Sequence, residues 1–234
     1  MTYKALLCGA LLSLSLSLSS VAHADIIVSD LNEDVAVDND TTSELIMIKN
    51  TERLAAGFIT DGNAYTLDAI TLFLDQETPG TISPTVTLQL FNSALGGGGF
   101  QIPTGSAIGT FNTNVVSQTT FENEIFSPTV AGSITLAANT IYWIVISSNA
   151  GDSNVAMVNW AGDPTPTNFF VGQPGTVVLD FLKSTSSSDE GWNSNTDRNA
   201  LFRVEGTPVP EPASLALMAL GVLGMVIFYA RRMI

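Results

Sequence analysis

Cysteine and histidine are almost missing from this chain, which contains one of each among its 234 residues. Both Cys8 and His23 lie in residues 1–24, a segment whose pattern, described below, predicts its removal. Serine hydrolase triads, papain-like dyads, haem sites, iron–sulfur clusters and zinc sites with thiolate or imidazole ligands all need side chains that the remainder lacks. Disulfides are excluded for the same reason, so a hydrophobic core of ordinary size must stabilise the remainder.

Basic residues are also few in this chain. Residues 25–206 contain five of them, Lys49, Arg53, Lys183, Arg198 and Arg203, against 21 acidic residues. Nucleic acid and anionic lipid headgroups both need basic patches, so we expect no nucleic-acid partner. Neither lysine has a Ser/Lys catalytic motif around it. We therefore predict a protein that is not an enzyme and that needs no cofactor.

The N-terminus has the three parts of a secretory signal peptide. Lys4 supplies positive charge, residues 5–18 form an apolar core rich in leucine and serine, and Ala22-His23-Ala24 is a small-residue cleavage site. We predict that residues 1–24 are a signal peptide and that the exported chain begins at Asp25. An uncleaved anchor helix is the competing interpretation.

One other long apolar run occurs, over residues 213–230 near the C-terminus. About 18 uncharged residues are enough to cross a bilayer as a helix. Arg231 and Arg232 follow directly, and terminal arginines favour a cytoplasmic end. The pattern predicts a single transmembrane helix, with everything upstream of it outside the cytoplasm.

The motif Val209, Pro210, Glu211 and Pro212 precedes this run. Pro-Glu-Pro, an apolar span and a basic pair, in that order over residues 208–234, resemble the PEP-CTERM sorting signal of Gram-negative bacteria. The resemblance implies that an exosortase-like transpeptidase recognises the motif, that the span halts export, and that the two arginines fix the orientation. It also implies an intermediate anchored in the inner membrane, then delivery to the cell surface or extracellular matrix, with extracellular polysaccharide as a partner.

Residues 25–206 have the pattern of short strands separated by turns. Val86, Leu88 and Leu90 alternate with polar residues, as in a sheet with one buried face. Turn formers recur about every ten residues, which is typical of an antiparallel sandwich or barrel. The pattern predicts an all-β fold, an antiparallel β-sandwich of jelly-roll type, followed by a sorting and anchor segment over residues 207–234. We expect strands over residues 54–60, 67–74, 85–91, 107–115, 120–126, 132–136, 140–147, 154–160, 176–182 and 200–205.

The most apolar of these segments, residues 140–147, is predicted to be a central strand covered on both faces. Tyr142 and Trp143 then point to opposite faces of the sheet. One aromatic side chain is expected in the sandwich core, and the other beneath a loop or in a binding surface.

Four segments, together with Trp192, resemble the choice-of-anchor ectodomains, which are β-rich bacterial surface domains. The segments are residues 58–60, 65–72, 136–145 and 201–206. The resemblance covers about residues 40–206. It implies a structural or adhesive protein of the cell surface or extracellular matrix.

The loop over residues 183–198 holds the candidate carbohydrate site. Trp192 lies there among small polar residues that include Asp189 and Asn193. An indole stacks on a sugar ring while polar neighbours bind its hydroxyls. The alternative is that Trp192 closes one end of the sandwich beneath its own loop. A lectin-like module that binds glycan here, with or without calcium, is the second functional hypothesis.

Two groups of carboxylates are also candidate sites. Glu122 and Glu124 lie two apart on a predicted strand, the minimum for a glycosidase or a calcium site but equally the pattern of a wet strand face. The acidic residues of segment 38–44 match the start of a calcium loop, but Ser43 stands where that loop needs glycine. We predict no metal site at either position.

Overall fold

The computed structural model describes most of the predicted exported domain and a few residues of the tail. The described residues are 24–29, 31, 44–48, 52–76, 84–96, 99, 101–117, 122–149, 158–163, 176–184, 191–195, 199–210, 221, 225, 228–230 and 232. The predicted signal peptide therefore lies, apart from Ala24, outside the described residues.

The described part of the chain is built from strands. They are, in order, β1 (Asp25–Ser29), β2 (Glu44–Ile48), β3 (Arg53–Ile59), β4 (Tyr65–Gln76), β5 (Thr85–Leu95), β6 (Gln101–Thr110), β7 (Asn114–Val115), β8 (Glu122–Phe126), β9 (Thr135–Leu136), β10 (Ile141–Ser148), β11 (Val158–Asp163), β12 (Thr176–Ser184), β13 (Trp192–Asn195), β14 (Asn199–Ala200) and β15 (Phe202–Pro208).

Within the described residues the strands form two sheets, and every pairing is antiparallel. The eight-stranded sheet has the order β1-β15-β4-β11-β14, with β8 and β9 also paired to β4, and β2 to β11. The seven-stranded sheet has the order β13-β12-β3-β10-β5-β6, with β7 also paired to β5. The last described strand, β15, thus lies between β1 and the long strand β4, one strand in from the end of the sheet order.

One hydrophobic core takes side chains from both sheets. Val86, Leu88 and Leu90 of β5 are buried in it, whereas Thr87 between them is exposed, which is the period of two seen in the sequence. The ring of Phe58 on β3 lies 6.3 Å from that of Phe202 on β15, in the other sheet. The two inner faces therefore pack on each other, and burial of these apolar side chains stabilises the fold.

The seven-stranded sheet carries a second apolar cluster on its opposite face. We call it the outer cluster; its buried members are Ala55, Phe91, Trp143, Val145 and Trp192. Tyr142 belongs to the main core and Trp143 to the outer cluster, so the two side chains do point to opposite faces. Strand β10 is accordingly buried along both faces, as its apolar sequence predicts.

The all-β prediction is confirmed in its main part, two antiparallel sheets, while the jelly-roll order stays a prediction. Individual strands differ from expectation. The strand expected over residues 107–115 is two strands in the structure, β6, which begins at Gln101 and contains Pro103, and the short β7. Because β6 lies at the end of the described sheet order, its proline need not donate a hydrogen bond to a further strand. Strands β1, β2 and β13 were not expected at all.

Candidate functional site

The described start of the sorting motif is continuous with the last strand. Pro208 ends β15 and is paired with Tyr65 on β4. One residue further, the Val209 amide donates a hydrogen bond to the Ala64 carbonyl, with an N···O distance of 2.8 Å. The motif therefore begins while the chain is still in register with β4.

A side-chain hydrogen bond supports the same pairing. The Thr207 hydroxyl donates to Oδ2 of Asp68 at 2.8 Å, across 139 residues of sequence. Nothing in the local sequence marks Ala64 or Asp68 as partners of the motif, because only the fold brings β4 beside β15. These contacts are the part of the site that sequence reasoning missed.

The described residues at the end of β15 and just after it are exposed to solvent. Pro208, Val209 and Pro210 are exposed, Val209 by 38%. Glu211 and Pro212, the other two predicted motif residues, lie outside the described residues. The described motif residues are thus accessible at their side chains while the Val209 amide is bonded to the sheet.

Tyr65 lies beside this junction and is buried, with 2% exposure. Burial raises the pKa of its hydroxyl above the ordinary value of 10.0, and the nearby carboxylates of Asp61 and Asp25 act in the same direction. A hydrogen bond with Asn63 acts against them. Asn63 itself is held by the Asp61 carboxylate, which accepts from the Asn63 backbone amide at 2.9 Å and from its Nδ2 at 2.8 Å.

The predicted anchor is described at only a few positions. Residues 221, 225, 228–230 and 232 are helical, and the rest of the predicted span, with Arg231, lies outside the described residues. Arg232 is exposed, and its guanidinium carbon lies 5.1 Å from the ring centre of Phe228. In the portion of the chain that the structure describes, no helix has both the length and the apolar character needed to cross a membrane.

The candidate carbohydrate residue Trp192 is placed in the outer cluster. Its side chain is 7% exposed and packs with Trp143 and its neighbours, while the guanidinium carbon of Arg53 lies 5.4 Å from its ring centre. Asn193 is exposed, and its Nδ2 donates to the Gly191 carbonyl at 3.2 Å. Asp189 lies outside the described residues. The described geometry buries the indole on an outer sheet face, and carbohydrate binding at this loop stays a prediction.

The two glutamates of β8 lie on the same side of the strand as Phe126, whose side chain is buried in the main core. Both are on the side opposite to Asn123 and Ile125, and Glu122 is exposed. Glu124 is half-buried, and its Oε2 accepts from Nδ2 of Asn114 at 2.9 Å. Among the described residues, no group of three or more acidic, cysteine or histidine side chains is placed to hold a metal ion.

The described β-rich domain thus runs directly into a C-terminal segment that holds a Pro-Glu-Pro sequence. The particular signal is the PEP-CTERM protein-sorting motif, whose family model matches residues 208–232. This match confirms the resemblance of the tail and supports targeting to an exosortase through a membrane-anchored intermediate. No curated protein matches the chain. The choice-of-anchor resemblance of residues 40–206 stays a prediction.

Proposed function

We propose that this chain is a structural or adhesive protein of the extracellular matrix, delivered there by its sorting signal. The observation that carries the proposal is the match of residues 208–232 to the PEP-CTERM motif, at the point where the folded sheet ends. In this account residues 25–206 are the exported ectodomain, a jelly-roll-like sandwich, and residues 207–234 carry the sorting signal.

Three segments of the chain direct its export and sorting. Residues 1–24 act as a signal peptide and start export. The apolar span over residues 213–230 then halts the chain in the inner membrane, with Arg231 and Arg232 on the cytoplasmic side. An exosortase-like transpeptidase recognises the Pro-Glu-Pro residues on the outer side and separates the ectodomain from its anchor. The chemistry is done on this chain by its partner, so the proposed role needs no catalytic residue of its own.

The ectodomain's composition suits such a destination. Its 21 acidic and five basic residues give it a strongly negative charge, which favours solubility after release. It has no cysteine, so its stability is independent of the redox state outside the cell and rests on the core shared by the two sheets. We propose extracellular polysaccharide as the partner that retains it.

Cell fractionation of the native host tests the proposal. We expect the wild-type ectodomain in the extracellular matrix fraction, and Glu211→Ala in the membrane fraction, because the motif can no longer be recognised. Glu122→Ala is the matched control, since Glu122 is an exposed glutamate of β8. Enzymatic digestion of the matrix polysaccharide should then release the wild-type protein. Delivery of Glu211→Ala to the matrix at the wild-type level would contradict the sorting role.

A further inference from the structure

The segment Thr207–Val209 is attached to the sheet on one side only within the described residues. Up to Gly206, β15 is paired with both of its neighbours, and Gly206 itself faces Asp25 on β1 and Leu67 on β4. Beyond Gly206 the described pairing continues with β4 alone. A strand end that is held on one side opens more easily than one held on both.

Gly206 lies at the boundary between the part of β15 that is paired on both sides and the segment Thr207–Val209, which is paired with β4 alone. The register with β4 shifts between Glu205 and Gly206, as at a β-bulge. A Cβ on Gly206 would lie 2.7 Å from the Thr66 carbonyl oxygen and 2.8 Å from Cδ1 of Ile27, so a side chain does not fit at this position. The doubly paired part of β15 is therefore firmly held, and movement can begin just after it.

Very little chain lies between the last described hydrogen bond to the sheet, made by Val209, and the Pro-Glu-Pro residues. Glu211 is two positions beyond Val209, whose amide is hydrogen-bonded to the Ala64 carbonyl. Two residues of extended chain span at most about 7 Å. A transpeptidase that binds the Pro-Glu-Pro residues in its cleft would meet the edge of the folded domain at that distance.

We propose that the folded ectodomain acts as a steric shield that keeps the transpeptidase from the sorting motif, although the side chains of Val209 and Pro210 are exposed. The transpeptidase then acts while Thr207–Val209 are detached from β4. This inference rests on the proposed sorting function. Two hydrogen bonds hold Thr207–Val209 against β4: the Val209 amide donates to the Ala64 carbonyl, and the Thr207 hydroxyl donates to the Asp68 carboxylate. The strength of these contacts sets how often the motif is presented, and so how long the folded protein stays at the membrane.

The rate of tail loss in the native host, followed by pulse-chase and intact mass, tests this shield. One variant carries a Gly-Ser insert of about six residues between Thr207 and Pro208, which moves the motif roughly 20 Å from the sheet. A second, Thr207→Val, removes the hydroxyl bond to Asp68 and lies outside the matched motif. We expect the insert to speed tail loss about tenfold and Thr207→Val about threefold, as the loss of one or two sheet hydrogen bonds implies.

Two controls repeat these changes elsewhere. The same insert after Gly99, an exposed glycine between β5 and β6, and Thr87→Val, at an exposed position of β5, should leave the rate at the wild-type value. If the insert at Thr207 is processed at the wild-type rate or more slowly, the shield is overturned while sorting stands. If the wild type and Glu211→Ala both keep their tails, the sorting function itself fails and the shield fails with it.

Discussion

The six-membered ring of Trp143 covers Gly57, the residue directly opposite it on β3. A Cβ on Gly57 would lie 3.1 Å from both Cη2 and Cζ3 of the indole. The missing side chain of the glycine is thus the space that the tryptophan fills, and Trp143 is fully buried although it points away from the main core. The outer cluster is built on this contact.

Replacing Gly57 with alanine should therefore destabilise the ectodomain. The added methyl group forces the buried indole to shift, and overpacking of this kind costs about 1–3 kcal/mol. Urea denaturation of the soluble ectodomain measures the change. Gly62→Ala is the matched control, because a Cβ there meets nothing within 4 Å, and its free energy of unfolding should stay close to the wild-type value. Equal stability of both variants would refute the packing account.

Removing the Ser93 hydroxyl should also weaken the outer cluster. Nε1 of Trp143 donates to Ser93 Oγ at 3.0 Å, and Ser93→Ala leaves this buried donor without that acceptor. An unsatisfied buried donor costs about 1–3 kcal/mol. Chemical denaturation gives the change, with Ser106→Ala, at an exposed position of β6, as the control. A loss no greater than that of the control would show that the bond does not hold the indole.

Gly109 provides a test of the contact between β6 and the main core. A Cβ on this glycine would overlap Cδ1 of Ile134, which is 2% exposed. Gly109→Ala should lower the free energy of unfolding by about 1–3 kcal/mol. The Ile134→Ala change should cost less in that background than in the wild type, because the truncated side chain makes room for the methyl group. A double-mutant cycle with additive effects would contradict this contact.

The raised pKa of Tyr65 predicts a loss of stability in alkali. The folded state favours the neutral hydroxyl, so its contribution is fully present below pH 10.0, the ordinary pKa, and is lost as the pH rises through the higher folded value. The free energy of unfolding of the wild type should fall more steeply above pH 10.0 than that of Tyr65→Phe, with parallel curves below it. Unfolding titrations at several pH values make the comparison, and identical slopes above pH 10.0 would contradict it.

The sequence predicts the strands whose pattern is local. Strand β10 is a continuous apolar run, and its predicted bounds are within one residue of the observed ones; β5 alternates over its first six residues and begins where predicted but extends to Leu95. Strand β13 has the sequence Trp-Asn-Ser-Asn and no strand pattern of its own. It pairs antiparallel with Phe181–Ser184 of β12, with only seven residues of chain between the two strands, but its small polar residues have low strand propensity and so gave no signal.

The same division applies to the site. The sorting motif is readable from residues 208–234 alone, because its three parts are contiguous in the chain. Its attachment to the sheet is not, since Asp68 and Thr207 are 139 residues apart. For Trp192, the sequence left an accessible indole and a buried one both open, and the fold places the side chain in the outer cluster.

Intact-mass analysis of the protein recovered from the native cell surface tests the central claim most directly. The account predicts a wild-type protein that begins at Asp25 and has lost the apolar span after about Pro212, beside a Glu211→Ala variant that retains the span at the membrane. If the wild type recovered from the surface still carries Arg231 and Arg232, the tail is a plain membrane anchor and the sorting account is wrong.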